Sequence, residues 1–276
     1  MQQEQVDSLI KGYVKQSPRN RVYEEEALRE DLAGMKLYDE PIIGYSDAED
    51  SLYAGLKDPD VIGPHFMLPG EWLPGAQTVI SFFLPFTEQI RRANALEKVR
   101  PADEWLHGRI EGQVFIISLL AYLSENLTAA GYQAKAPAVD SRFFSAEAPG
   151  EDGLGYTSNW SERHVAYISG LGTFSLSRGM ITLKGMAGRF GSVITDWKTQ
   201  ATAREYDSYD EYCTKCMACA RKCPVHAISK EGKDQALCAA YINKTKEQFY
   251  PYYGCGKCQT GVPCEHGKPK GRRIDR

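Results

Sequence analysis

The chain has 276 residues, 42% of them hydrophobic and 25% charged, with 33 Lys and Arg against 36 Asp and Glu for a formal net charge of −3. These values suit one large globular unit with a small appendage and argue against a largely disordered chain. The acidic balance gives little support to binding through nucleic-acid phosphates, which favours basic surfaces.

Apolar periodicity predicts helices over residues 3–16 and 24–35, then a strand over 78–86. A long helix is predicted over 103–131, with Ile110, Val114, Ile117, Leu120, Leu123 and Leu127 on one apolar face and Gly131 as its stop. Strands follow over 133–139, 180–183 and 191–196. Between them, Ser161 is suited to start a helix with Glu162 in its first turn, and Gly170 and Gly172 are suited to end it. On its own that stretch reads as a helix-to-strand turn. The polar segment 198–210 reads as a linker. Strands mixed with helices predict an α/β or α+β layer. The longest apolar run, residues 114–123, is interrupted by Ser118 and falls short of the roughly 18 residues of a membrane span. The N-terminus lacks a basic stretch followed by an apolar one, and the paired arginines at 91–92 and 272–273 are not N-terminal. No export signal or membrane partner is therefore expected, and the expected compartment is the cytoplasm.

All eight cysteines lie between Cys213 and Cys264. A disulfide scaffold would distribute them across a small secreted fold, so clustering points to metal. Cys213, Cys216, Cys219 and Cys223-Pro224 reproduce C-x2-C-x2-C-x3-C-P, the iron–sulfur run whose fourth cysteine serves the other cluster in two-cluster proteins. Three thiolates two residues apart can wrap three corners of a cubane in one tight loop, while the fourth points away. Two cubanes need eight thiolates and eight are present. Cys213, Cys216 and Cys219 with one distal cysteine then hold the first cluster. Cys223 joins Cys238 and the Cys255/Cys258 pair on the second, which leaves Cys264 for the first. Structural zinc is the competing reading, since C-x2-C pairs also occur there. Five residues rather than three separate Cys258 from Cys264, so the closing loop is longer than in the bacterial run.

The order Ser-Glu-Arg (161–163), Gly-Leu-Gly (170–172), Ile-Thr (181–182) and Gly-Ser-Val-Ile-Thr-Asp (191–196), followed by the cysteine run, a lone cysteine and a second C-x2-C, resembles the cobalamin-dependent epoxyqueuosine reductases and their relatives, the reductive dehalogenases. The resemblance implies an α+β protein: a nitroreductase-like α/β core over residues 1–200, holding a base-off corrinoid, then a ferredoxin-like domain over 201–276 with two [4Fe-4S] clusters. It implies corrinoid contacts at Gly170, Gly172, Thr173, Met180, Tyr241 and Asn243. Val139-Asp140-Ser141 matches the family's context for a proton-donating aspartate. Such an acid needs burial to raise its pKa. Tyr156 and Tyr167 are the phenolic substitutes, and Arg163 and Arg178 are suited to meet a cofactor tail.

The chain departs from the family in a Gly- and Pro-containing insertion around residues 148–160, and in stopping twelve residues after Cys264, where tRNA-reading members continue with helical repeats. The expected activity is therefore reductive bond cleavage on a small molecule, not on tRNA, fed by a donor such as ferredoxin or flavodoxin. FMN in place of corrinoid is one alternative. An electron-transfer protein or reductive activator for a separate corrinoid protein is another.

Overall fold

The computed structural model describes residues 1–150 and 153–271, without the side chains of 147–150 and 153–155. Residues 151 and 152 of the insertion, and the tail arginines at 272–273, lie outside the described residues. In chain order the elements are α1 (Gln3–Gln16), β1 (Ile42–Asp47), α2 (Ser51–Gly55), α3 (Pro69–Trp72), β2 (Thr78–Pro85), α4 (Glu88–Leu96), α5 (Asp103–Ala129), β3 (Ala134–Lys135), β4 (Ser145–Gly150), β5 (Gly153–Ser158), α6 (Glu162–Ile168), β6 (Gly172–Phe174), β7 (Met180–Thr182), β8 (Gly188–Thr195), α7 (Ala218–Lys222) and α8 (Gln235–Phe249). Helix and strand are thus mixed, as the sequence predicts.

The central sheet has the order β1-β2-β8-β3, with every pairing antiparallel. All eight residues of β2 are buried. Their side chains alternate between two faces, as strand geometry requires. Ile80, Phe82 and Leu84 join a core with Val6 and Ile10 of α1 and Leu119 and Leu123 of α5. Val79 faces a second core built on Trp72 and Trp160, and Phe83 packs against Ala166 of α6. Cores on both faces explain why this strand is so uniformly buried. Each such side chain taken fully out of water contributes roughly 1.5–3 kcal/mol. Among the described residues, no helix is long and apolar enough to cross a membrane.

Four local expectations need correction. Residues 24–35 form two single 3-10 turns, Glu24–Glu26 and Glu30–Leu32, rather than a helix. Only Leu32 of these turns is buried, so no apolar stripe exists to hold a longer helix. In α5 the buried stripe runs through Phe115, Ile116, Leu119, Leu120, Leu123 and Leu127, whereas Val114 and Ile117 are exposed. The helix is apolar on several sides, so periodicity alone could not choose the face. The expected strand at 133–139 shrinks to two residues because Pro137 opens a 3-10 turn. The segment 198–210 is not a free linker: Thr202 N–H donates to the Tyr45 carbonyl at 2.8 Å, and Arg204 pairs with Asp50 at 2.6 Å.

Candidate functional site

The first three cysteines are gathered by backbone strain. Lys215 and Met217, one in each gap of the C-x2-C-x2-C run, adopt left-handed φ values of 52° and 62°. Such values cost a non-glycine residue on the order of 1–2 kcal/mol. They curl the loop so that Cys213, Cys216 and Cys219 line one small hollow, joined there by Cys264. The Cys264 Sγ lies 3.2 Å from the Met186 sulfur. The short α7 then carries the chain to Cys223, which lines a second hollow of about 110 Å³ with Cys238, Cys255 and Cys258. Four cysteines thus line each of two hollows.

Asp234 caps α8 by accepting the Leu237 N–H at 2.9 Å, which sets Cys238 in the first turn of that helix. The helix thus begins before Cys238. Ala227 N–H donates to the Cys223 Sγ at 3.2 Å. Burial pushes the Cys219 thiol up to about 11 and those of Cys255 and Cys264 to about 12. Metal bound by these thiols would have to supply enough positive charge to displace their protons. Among the described residues no three Cys, His, Asp or Glu side chains are arranged around a single ion. Each quartet instead lines its own hollow.

A cavity of about 590 Å³ lies where the core meets the cysteine segment. Phe86, Trp105 and Tyr253 supply aromatic walls, while Cys238 and Cys255 of the second quartet form part of its lining. A larger open groove of about 1230 Å³ runs along α1, but it contains no cysteine, so size does not select the site. The interface is closely keyed. Asn94 donates to the Cys255 carbonyl at 3.1 Å, and the buried Lys257 ammonium donates to the carbonyls of Asn94 and Glu97 at 3.0 and 2.6 Å. Tyr252 donates to Glu111 at 3.1 Å. Gly256 has a φ of +66°, and a Cβ there would overlap the Trp105 ring, so only glycine lets this loop seat against α5.

The predicted cofactor contacts divide. Asn243 lines the cavity, and Tyr241 lines the second thiol hollow. Gly170, Gly172, Thr173 and Met180 do not line the cavity. Gly170 ends α6 with a left-handed φ of +79°. At Gly172 a side chain would meet the Ile181 carbonyl across the β6–β7 hairpin. Thr173 is fully buried, its hydroxyl accepting the Tyr212 N–H at 2.9 Å. Met180 packs with Phe83, Ala166 and Leu171. Gly170 thus closes α6, and Gly172, Thr173 and Met180 belong to the hairpin and its packing, which suffices to explain residue types that the resemblance attributes to a ligand.

Tyr156 lines the cavity, whereas Asp140 does not. The Asp140 carboxylate accepts from Arg142 Nε at 2.9 Å and lies 3.1 Å from Lys135 Nζ. Arg142 in turn donates to the carbonyls of Glu71 and Trp72 and lies over the Trp72 ring. The Arg142 bonds, reinforced by Lys135, hold the Asp140 carboxyl far below the ordinary carboxylate range. The expected raised acid is thus absent in this arrangement, because two cations outweigh burial. Arg163 lines the cavity, as its assignment to a cofactor tail requires, and Arg178 offers it a carbonyl acceptor at 2.6 Å. Sequence reading missed Arg109, Arg189, Lys233 and Lys246 of the lining. They come from separate elements with no shared motif, so nothing short of the fold brings them together.

Comparison with known proteins finds likeness in the cysteine run and in the fold. Residues 209–229 match the family of 4Fe-4S binding domains. No curated protein sequence matches. A solved selenomethionine-labelled epoxyqueuosine reductase aligns with 97% of this chain and 68% of its own, with a TM-score of 0.54 at 18% identity. An epoxyqueuosine reductase solved with an epoxyqueuosine-modified tRNA-Tyr stem loop aligns with 85% of this chain and 63% of its own, with a TM-score of 0.51 at 18% identity. A catabolic reductive dehalogenase aligns with 82% of this chain but only 30% of its own length, with a TM-score of 0.53 at 16% identity. The chain is therefore an iron–sulfur protein with the fold of epoxyqueuosine reductases and reductive dehalogenases, spanning about two thirds of the former and under a third of the latter.

Proposed function

We propose that this protein is a reductive oxidoreductase in which two [4Fe-4S] clusters serve a base-off corrinoid held in the cavity, for cleavage of a bond in a small molecule. The observation that carries this reading is the shared wall: Cys238 and Cys255 line both the second thiol hollow and the cavity. A cluster held there lies next to whatever occupies the cavity, and needs no separate docking event to reach it. The cavity volume falls within the range of small-molecule sites.

Bound corrinoid would supply a strongly reducing metal centre; the remaining tasks fall to the chain. Phe86 and Trp105 present an apolar wall that limits water. Tyr156, at the cavity lining, is the residue we assign to deliver a proton to the departing group. Asp140 could do so only after leaving Arg142 and Lys135, so in this arrangement it fixes the segment before β4. An external one-electron donor of the ferredoxin or flavodoxin class would reload the clusters through the first quartet.

Titration of anaerobically purified protein with cob(II)alamin, followed by EPR, tests the reading. A base-off signal is expected. Its absence at saturating protein, with FMN co-purifying instead, would replace the corrinoid by flavin. Clusters without either cofactor would favour an electron-transfer role.

A further inference from the structure

The cavity is lined by five cationic side chains, Arg109, Arg163, Arg189, Lys233 and Lys246, and by no Asp or Glu among the described residues. This occurs in a chain whose net charge is −3. None of the five forms an ion pair with a described carboxylate. Gathering like charges without a counter-charge is costly, so each needs an explanation.

Two of them have one. Arg163 and Lys233 act electrostatically on Cys258, a member of the second quartet, and a ligated thiolate cluster is anionic. The other three have no such partner. Arg109 from α5 donates to the Tyr253 hydroxyl at 3.0 Å and lies 4.6 Å from the centre of its ring. Lys246 from α8 approaches the same ring at 5.9 Å. Arg189 from β8 donates to Gln113 through Nη2, while its Nε is closed off from water and has no hydrogen-bond partner. Burial, and next the Arg109 charge, pull the Arg189 guanidinium down to about 10. Two guanidinium groups and an ammonium on one cavity wall, with no carboxylate among the described lining residues, mark a place for an oxyanion.

We propose that Arg109, Arg189 and Lys246 form a slot for a phosphate or carboxylate group of the cavity's ligand. The proposal rests on the cavity being the ligand site of the oxidoreductase reading above, but not on corrinoid being its occupant. The oxyanion has two possible sources, a phosphate carried by the bound cofactor or an acidic group on the substrate. In the first case the slot anchors the cofactor tail. In the second it selects acidic small molecules and fixes the end of the substrate remote from the bond to be cleaved.

Calorimetric titration of the anaerobic, cluster-loaded protein with inorganic pyrophosphate tests the slot directly, without turnover. Pyrophosphate should bind, and Arg189→Gln and Arg109→Gln should each weaken binding by about tenfold or more, the effect of removing a charge-assisted hydrogen bond. Arg189→Lys should fall between, because it keeps the charge and loses the fork. Arg19→Gln, at an exposed turn, should bind as the unaltered protein does. Two separate variants keep the test valid if the strand substitution prevents folding. Repeating the titration after saturation with cob(II)alamin separates the sources: loss of pyrophosphate binding assigns the slot to the cofactor phosphate, and retention assigns it to the substrate. Absence of pyrophosphate binding, or binding indifferent to both arginines, overturns the proposal. Failure to bind cob(II)alamin with arginine-dependent pyrophosphate binding intact would sink the corrinoid reading and leave the slot standing.

Discussion

Replacing Glu162 by Gln should change the pH dependence of stability in a way that charge at a helix start would not. An ionised Glu in the first turn of α6 would gain about 0.3–1 kcal/mol from the helix dipole. The observed surroundings oppose ionisation more strongly. Oε1 is closed off from water without a partner, and Oε2 accepts only the Ser192 hydroxyl, at 2.7 Å. Burial therefore pushes the carboxyl up to about 7. Because the folded value is raised, the stability is fully present below the ordinary value of roughly 4.3, where both states are protonated. It is lost as pH rises toward 7, since the unfolded chain releases its proton first. The whole gap, from roughly 4.3 to about 7, corresponds to on the order of 3–4 kcal/mol, of which about 2–3 kcal/mol falls between pH 5 and 7.5. Glutamine stays neutral and carries no such loss, although its amide hydrogens lack an acceptor and cost about 1–3 kcal/mol at every pH. At roughly 2 °C per kcal/mol for a chain of this size, the melting temperature of Glu162→Gln relative to the unaltered protein should rise by roughly 4–6 °C between pH 5 and 7.5. Anaerobic thermal scans at one fixed rate measure this difference. Parallel curves across that range would show that Glu162 is ionised in the fold and that burial has been overrated.

Anaerobically purified protein should contain about eight iron and eight acid-labile sulfide per chain; near four iron, or stoichiometric zinc, would contradict the two quartets. Cys223→Ser should disturb the spectrum of the cluster held with Cys238, Cys255 and Cys258 and spare the other, as EPR of the reduced protein can resolve. Gly256→Ala should cost on the order of 2–4 kcal/mol, from a left-handed backbone and overlap with Trp105; an unchanged melting temperature and iron content would remove the argument that glycine seats this loop. With a halogenated or epoxide test compound and a chemical reductant, Tyr156→Phe should lower kcat about 10²–10⁴-fold, while Asp140→Asn should leave it within about tenfold. The reverse ranking would mean that Asp140 leaves Arg142 during turnover.

The cysteine chemistry was legible in the sequence because its information is local. Three thiols at two-residue intervals with Cys223-Pro224 after them specify a loop geometry whatever surrounds it, and in the fold the eight cysteines line two separate hollows. Helix α1 and strand β2 were legible for a related reason: an amphipathic stripe marks one buried helix face, and a short run rich in Val, Ile and Phe marks a strand buried on both faces. Where several local solutions were comparable, tertiary structure decided. The α5 helix could present more than one apolar face, and packing against the sheet selected Phe115 and Leu119 over Val114 and Ile117. Residue type at Gly170 and Gly172 fits both ligand approach and hairpin packing, and only the fold brings the Ile181 carbonyl against Gly172. Asp140 could have been a buried acid or an ion-paired one; Lys135 is five residues away and Arg142 two, yet only the fold brings both charges onto one carboxylate. The cationic lining lies furthest from sequence reach. Arg109, Arg189 and Lys246 sit on α5, β8 and α8, and long-range packing alone turns three unremarkable surface-type residues into a concentration of uncompensated charge.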